Sequence, residues 1–217
     1  MEKNEIDQNN NSSNPNVNEI IKLIIIGSVS VGKTSLLLRY ATGKFQNVSK
    51  STSTASYITK IKQANNKTYE IRLWDTAGQE KYRSLTKIFM KGAKIVIFVY
   101  DITNYNSFKE LNFWFESTKD IINDQVVMGI VGNKNDLFLK EEVKEDEARK
   151  LAKEKGMEFA LTSAKDARLF CEFLEKLIKK YLGEEVGDDD DDEEEKKKNK
   201  TEKLKAGGKT KEKKKCC

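Results

Sequence analysis

Apolar residues follow two rhythms along this chain. "IIKLIIIG" (residues 20–27) is nearly continuous, as expected of a strand buried on both faces, and "AKIVIFVYD" (93–101) and "QVVMGIVGNKND" (125–136) repeat the pattern, each ending in polar residues. "SYITKIKQ" (56–63) and "TYEIRLWD" (68–75) alternate instead, with "ANNK" between them, which predicts a β-hairpin. "GKTSLLLRYA" (32–41) and "YNSFKELNFWFESTKDII" (105–122) read as helices. "EEVKEDEARKLAKEKG" (141–156) is a charged helix with Gly156 just past its end. "MEFALTSAK" (157–165) is a last strand and its loop. The closing helix, 166–182, puts Leu169, Phe170, Phe173, Leu174, Leu177, Ile178 and Tyr181 on one stripe, with Cys171 as a small core residue beside it. This order predicts an α/β fold: a mostly parallel six-stranded sheet with one antiparallel edge hairpin and helices on both faces. Ligands of such sheets bind beyond the carboxyl ends of the strands. The polar motifs follow those ends, so they are expected to converge.

Outside residues 20–182 the pattern stops. Residues 1–19 are polar and Asn-rich and predict a disordered extension; residues 183–217 predict a flexible charged tail. The N-terminus lacks the apolar core of a secretory signal, and no run approaches about 18 apolar residues. Many of the lysines counted in the net charge of +5 lie in the tail, directly after the acidic run "DDDDDEEE", so nucleic-acid binding by the domain gains little support. Three cysteines in 217 residues make no disulfide framework. The absence of His removes the commonest general base and argues against zinc.

Four motifs carry chemistry. "GSVSVGKT" (27–34) fits a phosphate-binding loop joining a buried strand to a helix, where backbone N–H groups and the helix dipole attract phosphate. Lys33 would reach the β- and γ-phosphates, Thr34 would put its hydroxyl on Mg²⁺, and Val29, Ser30, Val31, Gly32 and Ser35 complete the cradle. In "NKND", the Asp136 carboxylate can accept from guanine N1–H and the 2-amino group, donors that adenine lacks there, with Asn133 and Lys134 beside it. "TSAK" can close over the base through the backbone of Ser163 and Ala164 and the stem of Lys165. In "DTAGQE", Asp75 can hold Mg²⁺ through water, Gly78 N–H can meet the γ-phosphate, and Gln79 can orient the attacking water. Gln79 and Lys33 are thus the catalytic candidates. An ATPase or P-loop kinase is disfavoured by Asp136.

Together these motifs resemble a small GTPase of the Ras superfamily over roughly residues 20–182. "EIRLWDTAGQEKYRSLT", "FMKGA", "FVYDIT" and the terminal Cys216-Cys217 resemble the Rab family. The resemblance implies that Phe45 packs edge-on against guanine. It also implies a threonine closing on Mg²⁺ with GTP bound; ungapped spacing favours Thr52, with Thr54 the competitor. In the same register Tyr57, Trp74 and Phe89 are the aromatics presented to effectors. Ser53-Thr54 replaces the Ile-Gly usual after that threonine. Cys216 and Cys217 would be a double prenylation site, anchoring the protein to the cytoplasmic face of intracellular membranes with a soluble cytosolic pool. Implied partners are GTP and GDP, effectors, an exchange factor, a GTPase-activating protein, a prenylation escort and a GDP-dissociation inhibitor. The implied role is a switch in vesicle-mediated transport.

Val29 complicates hydrolysis. The Rab loop usually reads Gly-Asp-Ser-Gly-Val-Gly-Lys, whereas this chain carries Ser28, Val29 and Ser30 in its middle. Val29 falls beside the γ-phosphate; it is stiff at χ1 and donates no hydrogen bond. Slow turnover is one expectation and a GTP-locked membrane adaptor the alternative. Normal turnover through a reshaped loop stays open. Nucleotide binding is untouched, because the backbone N–H groups remain.

Overall fold

The computed structural model describes residues 17–45, 56–76, 88–121 and 125–184. Its six strands are β1 (Glu19–Ile26), β2 (Ser56–Ala64), β3 (Lys67–Asp75), β4 (Ile95–Asp101), β5 (Val127–Asn133) and β6 (Glu158–Leu161). The fully described helices are α1 (Lys33–Thr42), α2 (Tyr105–Lys109), α3 (Leu111–Lys119), α4 (Glu145–Glu154) and α5 (Ala167–Leu182), with a 3₁₀ helix at Asn135–Lys140, and residues 88–90 are also helical.

The strands form one sheet in the order β2-β3-β1-β4-β5-β6. Only β2 and β3 pair antiparallel; β3-β1-β4-β5-β6 run parallel. This is the α/β sheet that the apolar pattern predicts. Asn65 and Asn66 both take positive φ (50° and 56°), the geometry of a two-residue hairpin turn whose twist matches its strands.

Alternation along the central strands divides their side chains between two cores. Ile21, Leu23 and Ile25 of β1, with Ile95, Ile97 and Val99 of β4, pack with Leu36 and Leu37 of α1 and Phe170, Phe173, Leu174, Leu177 and Ile178 of α5. Ile24 and Ile26, with Val96, Phe98 and Tyr100, pack with Leu111, Trp114 and Phe115 of α3 and Ala148 and Ala152 of α4. Each fully buried large side chain contributes about 1.5–3 kcal/mol, which is why continuous apolar runs become the middle of the sheet.

Several details differ from the apolar pattern. Leu169 is 37% exposed, because the stripe facing the sheet starts one residue later, at Phe170. Cys171 is half-buried rather than a core residue, on the flank of α5. The charged helix starts at Glu145, not 141: the N–H groups of Glu142 and Val143 both donate to Ile102 O, and Val143 is buried as an extended anchor. At the other end, β1 starts at Glu19, and Asn18 N–H donates to Thr68 O at 2.8 Å.

Candidate functional site

The turn between β1 and α1 is shaped by two glycines. Gly27 has φ 147°, and a Cβ there would sit 2.1 Å from Val99 O. Gly32 has φ 95°, and its Cβ would sit 2.4 Å from Asn133 Nδ2. The loop is therefore pressed against β4 on one side and the end of β5 on the other. Ser30 adopts φ 62° without being glycine, a conformation that costs roughly 1–2 kcal/mol for an L-residue. Val31 is buried and pins the loop to the core, whereas Val29 and Ser30 are exposed.

Helix α1 begins at Lys33 with no side-chain cap, so its first N–H groups remain available to an anion. Lys33 is 5% exposed, and its Nζ donates to Gly27 O at 2.8 Å and Ser28 O at 2.7 Å. Burial pushes its ammonium down to about 8, against the opposing pull of the Asp75 charge. Ser35, in the first turn of α1, is half-buried.

Thr34 Oγ1 donates to Asp75 Oδ2 at 2.7 Å, bringing the head of α1 to the end of β3. The neighbouring Thr76 donates to Ile25 O at 2.7 Å and ties that strand end to β1. A hydroxyl and a carboxylate are the hard oxygen donors Mg²⁺ takes directly or through water, and a site with few protein ligands leaves positions for phosphate and water. The residues present fit that ion.

The base motif stands across the loop. Asn133 Nδ2 donates to Val31 O at 2.7 Å. Lys134 has φ 67° and sends its Nζ to Asp101 Oδ2 at 2.6 Å. Asp136 is held on both oxygens: Ser163 Oγ donates to Oδ1 at 2.6 Å, and Lys165 Nζ lies 2.7 Å from Oδ2. Burial pushes the Asp136 carboxyl up, but the bonds from Lys165 and Ser163 and the Lys165 charge outweigh it and hold the group below its ordinary value. It is an acceptor at neutral pH. Ala164 is buried, and Lys165 N–H donates to Ser163 Oγ at 3.1 Å.

The structure thus gathers the loop from Val29 to Thr34 with Asp75, Asn133, Lys134, Asp136, Ser163 and Lys165 at one edge of the sheet. Phe45, 42% exposed, ends its described segment. Tyr57, Trp74 and Phe89 form a stack, with ring centroids 4.9 Å apart for the first pair and 5.9 Å for the second. Trp74 and Phe89 also pack on the second core, while Tyr57 is 48% exposed. Thr52, Thr54, Gly78, Gln79, Cys216 and Cys217 lie outside the described residues.

Sequence reasoning missed Asp101, although its place at the end of a buried strand beside the motif was a signal. It also missed the bond from Ser28 to Glu110, which no motif announces.

Comparison with known proteins agrees with this geometry. The family model described as the Ras family matches residues 22–183. The Ras-related protein RGP2 of Oryza sativa subsp. japonica is 37% identical over 164 residues, 76% of this chain and 76% of its own length. The Ras-related protein Rab5A of the same plant is 36% identical over 168 residues, 77% of this chain and 83% of its own. The Ras-related protein YPT3 of Nicotiana plumbaginifolia is 34% identical over 204 residues, 91% of this chain and 94% of its own. The chain belongs to the Ras family and is a small GTPase, a GTP-binding switch that hydrolyses GTP.

Proposed function

We propose that this GTPase is of the Rab type: a guanine-nucleotide switch whose GTP form recruits effectors to a membrane. The observation that carries the guanine part is Asp136, an ionised acceptor braced by Ser163 and Lys165 beside the phosphate loop. Lys165 is exposed enough to swing over a base and free one carboxylate oxygen for it. Once a bound base covers such bonds, the site rejects a base lacking the donors by about 10⁴ or more.

In this reading the N–H groups of the loop and Lys33 hold the phosphates, and Thr34, Asp75 and Thr52 hold Mg²⁺. The ion, when bound, offsets charge on the β- and γ-phosphate oxygens. Gly78 meets the γ-phosphate and Gln79 orients water. Phe45 flanks the base. Residues 20–182, with Glu19 opening β1, carry this site, the preceding residues are an N-terminal extension, and residues 183–217 form the tail, with Cys216 and Cys217 prenylated. No helix of the described residues is long and apolar enough to cross a membrane, and two lipid chains supply stable anchoring without a span. Tyr57, Trp74 and Phe89 form the effector surface; their stacking supports that assignment. The regulators are an exchange factor, a GTPase-activating protein, a prenylation escort and a GDP-dissociation inhibitor, and the setting is vesicle-mediated transport on the cytoplasmic face of membranes.

Val29 favours a second reading, a GTP-locked adaptor. It is 42% exposed on the loop, and in this reading its stiff, branched side chain stands where the water must approach. Single-turnover hydrolysis of preloaded GTP with Mg²⁺, with ATP as competitor during loading, tests both. Retention of GTP against excess ATP with a rate of about 10⁻⁴ s⁻¹ supports the timed switch. Retention with cleavage far slower than that supports the adaptor, and displacement by ATP sinks the guanine assignment.

A further inference from the structure

A side-chain bond that the phosphate-loop motif does not call for joins the loop to the helical layer. Ser28 Oγ donates to Glu110 Oε2 at 2.5 Å, across 82 positions of sequence. A hydroxyl on a carboxylate is a charge-assisted bond, roughly twice as strong as a neutral one. Ser28 is 8% exposed, and its carbonyl also receives Lys33 Nζ at 2.7 Å. The residue is thus fixed at both its side chain and its backbone. The chain then enters the exposed turn of Val29 and Ser30, where Ser30 is already in the left-handed region.

Glu110 acts from a firm seat. It joins α2 to α3, and its N–H donates to Asn106 O at 3.0 Å. Two residues earlier, Phe108 sets its ring edge-on to Tyr100 at 5.0 Å. Asp101 N–H donates to Ser107 Oγ at 3.0 Å, fastening α2 to the end of β4. That same Asp101 holds Lys134 of the base motif at 2.6 Å. The segment from Asp101 to Glu110 therefore braces the phosphate loop at one end and the base motif at the other.

We propose that Glu110 is a positioning residue for the phosphate loop, acting through Ser28 to keep the loop's N–H groups aimed at the nucleotide and so slow its release. The proposal rests on the guanine-nucleotide reading of this loop. It also accounts for Ser28: the Asp usual there in the Rab pattern would face the Glu110 carboxylate and repel it.

The test is release of a fluorescent GDP analogue from the full-length protein with Mg²⁺ under a GDP chase, with thermal midpoints in parallel. Ser28→Ala and Glu110→Ala each speed release about tenfold, and the double variant is no faster than either. Glu110→Gln stays near wild type, because its amide oxygen still accepts from Ser28. Ser28→Asp releases faster than Ser28→Ala, and adding Glu110→Gln restores slow release, because the amide can donate to the new carboxylate. Single variants within about twofold of wild type, additive effects, or a lowered thermal midpoint with unchanged release each overturn the positioning role alone. A wild type that fails to retain the analogue overturns the guanine reading and this proposal with it. Should Glu110→Ala not fold, the Ser28→Asp pair decides: restored retention in the double variant supports the proposal, and continued fast release overturns it.

Discussion

Asn133 Nδ2 donates to the carbonyl of Val31 at 2.7 Å, across 102 residues of sequence. The base motif and the phosphate loop are one unit because of it. Gly32 passes so close that a Cβ would land 2.4 Å from the same nitrogen. Gly32→Ala must therefore break the bond as well as strain a φ of 95°. The expected outcome is a loss of about 2 kcal/mol or more in stability together with weakened GDP binding. Asn133→Ala, which opens the bond without the backbone strain, lowers affinity with the smaller stability loss. Chemical denaturation and fluorescent nucleotide titration check both.

Asp136→Asn exchanges an acceptor for an amide that donates toward the base. Guanine then faces a donor with its own donors, while xanthine offers a carbonyl at that position. GTP affinity is expected to fall by at least about 100-fold and the affinity for the xanthine triphosphate to rise. Unchanged competition between the two nucleotides would remove Asp136 from the base site.

Val29→Gly clears the space beside the γ-phosphate. Single-turnover hydrolysis is expected to quicken about tenfold or more, with GDP affinity little changed because no N–H donor is lost. Equal rates for the two proteins would mean that the loop accommodates Val29.

Lys33 gives a pH signature. Its folded value of about 8 lies below the ordinary 10.5, so between these values the unfolded chain binds the proton that the folded chain has released. Stability of the nucleotide-free protein therefore gains from this group as pH rises through that window. Phosphate favours the charged lysine, so binding has the opposite sign: affinity for GDP falls as pH rises above about 8, and binding there takes up a proton. Calorimetry in two buffers of different ionisation enthalpy measures that uptake, and Lys33→Met abolishes it.

The aromatic stack separates packing from recognition. Trp74→Ala empties a site between Tyr57, Phe89 and the second core, at a cost of about 3 kcal/mol. Tyr57 is 48% exposed, so Tyr57→Ala should move stability by less than about 1 kcal/mol. A loss as large as that of Trp74→Ala would mark Tyr57 as a packing residue and argue against its role toward effectors.

Much of this protein was set by local sequence. Continuous runs such as "IIKLIIIG" could satisfy their apolar surface only between two layers, and "ANNK" supplied two residues that tolerate the positive φ of a tight turn. Motif spacing marked Lys33, Thr34, Asp75 and Asp136 as candidates, because phosphate, cation and guanine each demand particular donors and acceptors. Tertiary packing decided what periodicity could not. Leu169 and Phe170 are equally apolar, yet only the second faces the sheet, since the rotation of α5 is set by its contacts with β5 and neighbours. Ser28 and Glu110 carry no mark in the sequence that joins them. Their bond exists because α2 packs on β4 and carries its junction with α3 to the mouth of the phosphate loop, a distance that only the folded sheet makes short.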